Sequence, residues 1–167
     1  MLGALALVLA DRTVDAVAAA SGQSLTAAAA LSALHHFLGR PTIDLLRQVL
    51  GLTPSGAVRL VDRLVEAGYA VRGPGDDGRS RTVTLTPEGR RAAERVTQAR
   101  AAVLRDALAP LSPSDRATLG QLLGRMFTGL VRGPGATRWI CRLCDTTACG
   151  RDAGHCPVAN AVAARLT

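Results

Sequence analysis

The chain has 167 residues, 48% of them hydrophobic and only 2% aromatic, with a formal net charge of +7. That length supports one domain of ordinary size or a domain with a small appendage, with a core built from Ala, Leu and Val, a composition that favours closely packed helices. All 20 basic residues are Arg, a balance suited to a polyanion such as DNA, and the apolar opening run, residues 1–10, is too short to span a bilayer and lacks a basic flank, so a membrane helix or signal peptide is not expected and a cytoplasmic protein is.

Leu2, Leu5, Ala6, Leu9, Val14 and Val17 recur at helical spacing up to Ser21-Gly22-Gln23, which predicts an amphipathic first helix over residues 1–23. Ser24 caps a second helix through about Leu38, and Gly39-Arg40-Pro41 ends it. Thr42 begins a short helix with Ile43, Leu46 and Val49 facing inward, closed by Gly51. Thr53 is the natural N-cap and Pro54 the first residue of the next helix, which runs to Glu66. Val58, Val61 and Val65, with Leu60 and Leu64 beside them, are expected on its inner side, leaving Arg59, Asp62 and Arg63 on the other face.

After Ala67-Gly68 the period changes from helical to alternating. Residues 69–72 and 81–85 read as two strands joined by the Gly-rich tip Gly73-Pro74-Gly75-Asp76-Asp77-Gly78. Thr86-Pro87-Glu88 restarts a helix that carries Arg90, Arg91, Arg95, Arg100 and Arg105 and ends near Pro110. Ser112-Pro113-Ser114-Asp115 caps a last long helix with Leu119, Leu122, Leu123, Met126, Phe127 and Leu130 as its apolar stripe. Gly133-Pro134-Gly135 reads as a linker to a cysteine segment and a short Ala-rich tail.

Helix, turn, helix and basic hairpin is the order of a winged helix-turn-helix, whose second helix enters a major groove while the hairpin reaches a minor groove or the backbone. At the start of that second helix, Ser55, Gly56 and Arg59 are placed to approach base edges, with Arg59 able to pair bidentately with guanine. Thr53 and Arg63 are better placed for phosphates, and Arg81 adds charge to the wing. The stretch Leu52-Thr53-Pro54-Ser55-Gly56-Ala57-Val58-Arg59-Leu60-Val61-Asp62-Arg63-Leu64, running on to Tyr69, resembles the recognition helix of the MarR family of bacterial transcription regulators. Asp77-Gly78-Arg79-Ser80-Arg81-Thr82-Val83-Thr84-Leu85-Thr86-Pro87-Glu88-Gly89 resembles that family's wing and the start of its next helix.

The resemblance spans about residues 24–130 and implies a mainly α winged helix-turn-helix with a two-stranded wing and long terminal dimerisation helices. It further implies that Arg79 is the wing arginine set in or beside the minor groove, with Asp77 orienting the wing, and that the protein is a homodimer on a pseudo-palindromic operator in double-stranded DNA. Two recognition helices would then meet successive major grooves about 34 Å apart. Small phenolic ligands often bind in this family between the dimerising and DNA-binding lobes, near His35 and His36, so control by such a ligand is an alternative. No phosphate loop, carboxylate pair or nucleophile arrangement points to an enzyme, and a thiol-redox activity is the only catalytic reading the cysteines leave open. The organisation expected is a dimerisation helix over 1–23, a DNA-binding region over 24–110, a second dimerisation helix over 111–132 and a metal- or cluster-binding tail over 133–167.

Cys141, Cys144, Cys149 and Cys156 are the only cysteines and fall in one C-x2-C-x4-C-x6-C segment. In a reducing compartment such clustering points to thiolates converging on a metal centre more than to disulfides. Three readings stay open. An iron–sulfur cluster, [2Fe–2S] ahead of [4Fe–4S], is favoured because Cys156-Pro157-Val158-Ala159-Asn160 resembles the end of the cluster motif in redox-sensing MerR-type regulators, although both later gaps are longer here. A structural zinc site would use the same thiolates. A metal-free thiol switch would exploit the nearby Arg138, Arg142 and Arg151. His155, next to Cys156, could replace one of the thiolates as ligand, but a solvent-facing role suits it better.

Overall fold

The structure is a computed structural model that describes residues 1–76, 79–131 and 139–163. Asp77 and Gly78 of the wing tip, the Gly133-Pro134-Gly135 linker, Arg138 and the end of the tail lie outside the described residues. Helix α1 (Leu2–Ser21) ends where Gly22 takes the left-handed conformation at φ 64° and its N–H returns to the Ala18 carbonyl. Helix α2 (Leu25–Ala33) starts on Ser24, whose hydroxyl accepts from the Ala27 N–H at 3.3 Å. The expected second helix does reach Leu38, but Leu34–Leu38 widens into a π-helical turn carrying His35 and His36. Helices α3 (Ile43–Leu50) and α4 (Pro54–Glu66) start on Thr42 and Thr53, which accept from the Leu45 and Gly56 N–H groups at 3.1 Å each.

Strands β1 (Ala70–Pro74) and β2 (Arg81–Leu85) pair antiparallel from Ala70 opposite Leu85 to Pro74 opposite Arg81. Gly73 and Pro74, expected in the tip, therefore belong to the strand. A third short segment flanks the hairpin: Thr42 bridges to Thr82, and the Val83 N–H donates to the Pro41 carbonyl at 3.0 Å. Arg40 fastens the same edge, giving its Nε to Thr82 Oγ1 at 3.1 Å and an Nη2 hydrogen to the Pro74 carbonyl. Helix α5 (Pro87–Leu108) follows on the Thr86 cap, and Gly89 in its first turn sits so close to the Tyr69 carbonyl that any Cβ there would overlap it. Helix α6 (Pro113–Leu130) opens with a capping box in which Ser112 and Asp115 satisfy each other's backbone N–H.

The core is small-residue packing, as the composition implies. Ala27, Ala29, Ala30, Leu31 and Ala33 of α2 are buried with Leu46 and Val49 of α3, Leu60, Val61 and Leu64 of α4, Val83 of β2, and Ala92 and Ala93 of α5. Seven of the nine residues of α2 are buried, so it is the central helix, apolar on every side. Along α4 the inner side is Ala57, Leu60, Val61 and Leu64; Val58 and Val65, expected inward, are exposed. The reason is angular. At 100° per residue the Leu60–Leu64 pair and Ala57–Val61 pair define one stripe, and Val58 and Val65 fall on its outer flank.

Helix α1 packs along α5, with Val17, Ala28 and Val96 forming a small satellite cluster. Helix α6 has no buried residue, and Leu122, Leu123, Met126 and Leu130 are exposed along it, as are Leu2, Leu5, Leu7, Val8 and Val14 on α1. Exposed apolar area of that extent on two terminal helices is the mark of a surface made to be covered. Past α6, residues 141–156 form a series of tight turns leading into α7 (Pro157–Ala163), which packs back on α6.

Candidate nucleic-acid interface and cysteine cluster

Thr53, Ser55 and Arg59 are exposed on or beside the first half of α4, Arg63 is exposed in its last turn, and Gly56 is half-buried. The Thr53 hydroxyl is occupied as the helix cap and stands 3.5 Å from Ser55 Oγ, so its first task is structural. Gly56 lies against that cap: a Cβ there would come within 3.0 Å of Thr53 Oγ1. Among the described residues, neither Arg59 nor Arg63 makes a side-chain hydrogen bond or ion pair, whereas Asp62 between them holds Arg72 of β1 at 2.5 Å. That ion pair ties the outer side of α4 to the wing strand. Arg79 and Arg81, both exposed, stand at the far end of the hairpin from it. Asp77, expected to orient the wing, lies outside the described residues. Arg91 and Arg95 of α5 are engaged with Glu88 at 2.7 and 3.2 Å, and Arg90 donates to the Leu85 carbonyl, which leaves the basic reading surface to α4 and the wing.

The four cysteines are free thiols gathered in one cluster with Val131 and Val158, and Phe127 of α6 packs against it. Cys141 and Cys156 are buried, Cys144 and Cys149 half-buried. Local backbone turns bring them together: the Cys144 N–H donates to the Cys141 carbonyl at 2.8 Å, and Asp145 Oδ1 accepts from the Thr147 and Ala148 N–H groups. Gly150 and Gly154, at φ 62° and 74°, make the reversals that return the chain to Cys156. Asn160 of α7 locks the last reversal by donating to the Gly154 carbonyl at 2.7 Å.

Within the cluster the strongest couplings join Cys141 to Cys144 and Cys149 to Cys156, and weaker ones cross between the two pairs. Cys141 donates to Cys144, and this bond, with burial, holds the Cys141 thiol protonated far above its ordinary range. The same bond lowers Cys144 to about 6 against the opposing effect of burial, with help from the guanidinium groups of Arg100 and Arg151. Burial raises Cys149, and the nearby Cys156 raises it further. Arg100 of α5 was not legible as a neighbour of these sulfurs, and Arg142, expected to be one, instead lies over the Trp139 ring at 4.4 Å and donates to the Trp139 carbonyl. His155 is exposed. As a donor set, four sulfurs in one packed, partly buried cluster with two arginines nearby suit a soft metal or an iron–sulfur centre in kind and in charge. Among the described residues no three His, Cys, Asp or Glu side chains form a metal-ligand group.

The segment is also seated on the body of the protein. Thr146 Oγ1 donates to the His36 carbonyl at 3.2 Å, His36 Nδ1 is 4.0 Å from Asp145 Oδ1, and His36 Nε2 is 3.0 Å from Thr97 Oγ1 of α5. Leu143 packs on both the main core and the Val17–Ala28–Val96 cluster. Trp139 lies against Gly51, the residue that closes α3 at the turn into α4. The role of His36 as the hinge of these contacts had no signal in the sequence beyond its place at a helix end.

Helix pair, wing and flanking helices together are the architecture of a DNA-reading transcription regulator. A MarR family model matches residues 21–80, and the chain carries the MarR-family winged helix-turn-helix fold. Among solved structures it is similar to a probable transcriptional regulator from Pseudomonas aeruginosa, with 29% identity, 75% of this chain and 96% of that one covered, and a TM-score of 0.58. It is similar in fold to the YusO protein of Bacillus subtilis, with 19% identity, coverage of 75% and 88%, and a TM-score of 0.66. A mutant MarR from E. coli, complexed with operator DNA, aligns at 22% identity over 75% of this chain and 92% of that one with a TM-score of 0.59. No curated protein sequence matches the chain. The matched family segment stops well before Cys141, so nothing about the cysteines is inherited from it. No helix among the described residues is long and apolar enough to cross a membrane.

Proposed function

We propose that the protein is a homodimeric transcription regulator that binds a pseudo-palindromic operator, and that its four cysteines hold an iron–sulfur cluster through which redox state or metal supply alters that binding. The observation that carries the DNA-binding half is the exposed face of α4, where Arg59, one turn after Ser55, and Arg63, one turn further on, have no protein partner among the described residues, flanked by a basic wing. Arg59 would read base edges and Arg63 a phosphate. The apolar faces of α1 and α6 supply the dimer surface, which sets two such helices on one duplex. The operator complex of the E. coli relative supports this reading by its shared fold.

The sensing half rests on four thiols in one packed cluster, of which Cys144 and Cys149 line a cleft against α5, in a segment whose Trp139 lies against the turn before α4. When bound, an iron–sulfur cluster supplies a one-electron redox change. Arg100 and Arg151 would offset the negative charge of the thiolates, while Trp139 and Thr146 would carry any shift of the segment to Gly51 and His36. The test uses anaerobically purified full-length protein. Brown colour that bleaches on reduction, together with a changed operator affinity, is the expected result; colourless protein that releases about one zinc per chain on thiol oxidation would replace the cluster with structural zinc. For the DNA half, Arg59→Ala should relax sequence preference while Arg63→Ala weakens all duplexes alike and lowers the salt dependence. Affinity for duplex that does not change with salt would remove the proposal.

A further inference from the structure

Val58 is a β-branched apolar side chain 45% exposed in the first half of α4, with Ser55 one turn before it, Arg59 beside it and Asp62 one turn after on its polar side, and exposed Pro54 and Val65 along its apolar flank. A single exposed valine is ordinary on a protein surface. Its position is what gives this one a use. The N-terminal part of a recognition helix goes deepest into the major groove, and a valine there can contribute one thing to base reading, an apolar contact. The only apolar group a base pair offers in the major groove is the C5-methyl of thymine.

The neighbours leave Val58 that role. Asp62, the residue on the same flank best able to accept from cytosine, is occupied by Arg72 of β1 at 2.5 Å. Ser55 is close to the Thr53 cap, at 3.5 Å between hydroxyl oxygens. Arg59 is left as the guanine reader, one residue further along the helix. From these contacts we infer that Val58 is a specificity-determining residue that selects a thymine in each half-site, next to the base pair read by Arg59. The inference rests on the proposed operator binding and adds to it which base the apolar position takes.

The test selects a duplex from a randomised library with the full-length protein and then replaces each thymine of a half-site, one at a time, by deoxyuridine, which removes only the methyl. Loss of one buried methyl predicts about a fourfold weaker affinity at a single position per half-site. Val58→Ala should bind the selected duplex about fourfold more weakly and be insensitive to deoxyuridine at that position, whereas Val58→Thr, which keeps one methyl at nearly the same volume, should retain the discrimination. Unchanged thermal melting of Val58→Ala would show that its effect is on binding, as expected for an exposed side chain. A protein that binds the selected duplex tightly but is indifferent to every deoxyuridine replacement overturns this inference alone. A protein that selects no duplex overturns the operator reading and this one with it.

Discussion

Arg72 Nη2 lies 2.5 Å from Asp62 Oδ1, joining the third residue of β1 to the outer face of α4. Both side chains are more than a third exposed, so the pair adds little to folding. Its effect is geometric: it fixes where the wing stands relative to the helix that carries Arg59. Arg72→Ala should therefore change the unfolding free energy, read from urea denaturation, by no more than about 0.5 kcal/mol while weakening duplex binding measurably. Equal losses in stability and binding would show that the pair is structural and no more.

Gly89 and Gly124 give opposite expectations for the same substitution. A Cβ at Gly89 would run into the backbone carbonyl of Tyr69, which has no side-chain freedom with which to yield. Gly89→Ala should cost about 2 kcal/mol through overpacking at the start of α5. At Gly124 the added carbon meets Pro157 at 3.5 Å, an ordinary contact. Gly124→Ala should raise stability by up to about 1 kcal/mol through helix propensity. Urea denaturation of both variants checks the contrast, and similar outcomes for the two would contradict the packing.

The positions of α1, α3, α4, the hairpin, α5 and α6 were legible because their ends carry strong local chemistry: Gly22 and Gly51 at positive φ, Thr42, Thr53, Thr86 and Ser112 as caps, and Pro directly after three of those caps. Val58 and Val65 were misplaced because counting apolar residues on α4 finds six candidates for a stripe that accommodates four. The segment Arg40-Pro41-Thr42 gave no hint that it would flank the wing, since its bonds to Pro74, Thr82 and Val83 join residues more than thirty positions apart. The cysteine spacing foretold that the sulfurs would gather. It could not foretell their seat on His36, Thr97 and Gly51, because tertiary contacts of a loop have no periodicity to read.

His36 makes stability depend on pH in a defined direction. Burial lowers its pKa below 6.5, the charge of His35 lowers it further, and Asp145 opposes both. The folded protein thus binds a proton at His36 less readily than the unfolded chain does. The stability tied to the neutral ring is fully present above about pH 6.5 and is lost as pH falls from there through the folded pKa. His36→Gln, which keeps a polar group near Thr97, should flatten this part of the pH profile. A wild-type profile rising toward acid between pH 6.5 and 5.5, relative to the variant, would reverse the assignment.

Metal-free protein should reveal the thiol pairing by its order of alkylation. Only a thiolate reacts at a useful rate, and Cys144, at about 6, is largely ionised at pH 7. Cys141 supplies the S–H that stabilises that thiolate, and it is buried, so it should react last. Cys149, raised by burial and by Cys156, should follow Cys144 slowly. Peptide mapping after brief iodoacetamide treatment at pH 7 should therefore find Cys144 modified first, with the rate falling as pH drops through about 6. Arg100→Ala removes a positive charge from beside Cys144, so it should move that pH dependence upward and slow the reaction at pH 7. Equal labelling of all four cysteines would mean that the two pairs do not persist in solution and that α5 does not govern the chemistry of this segment.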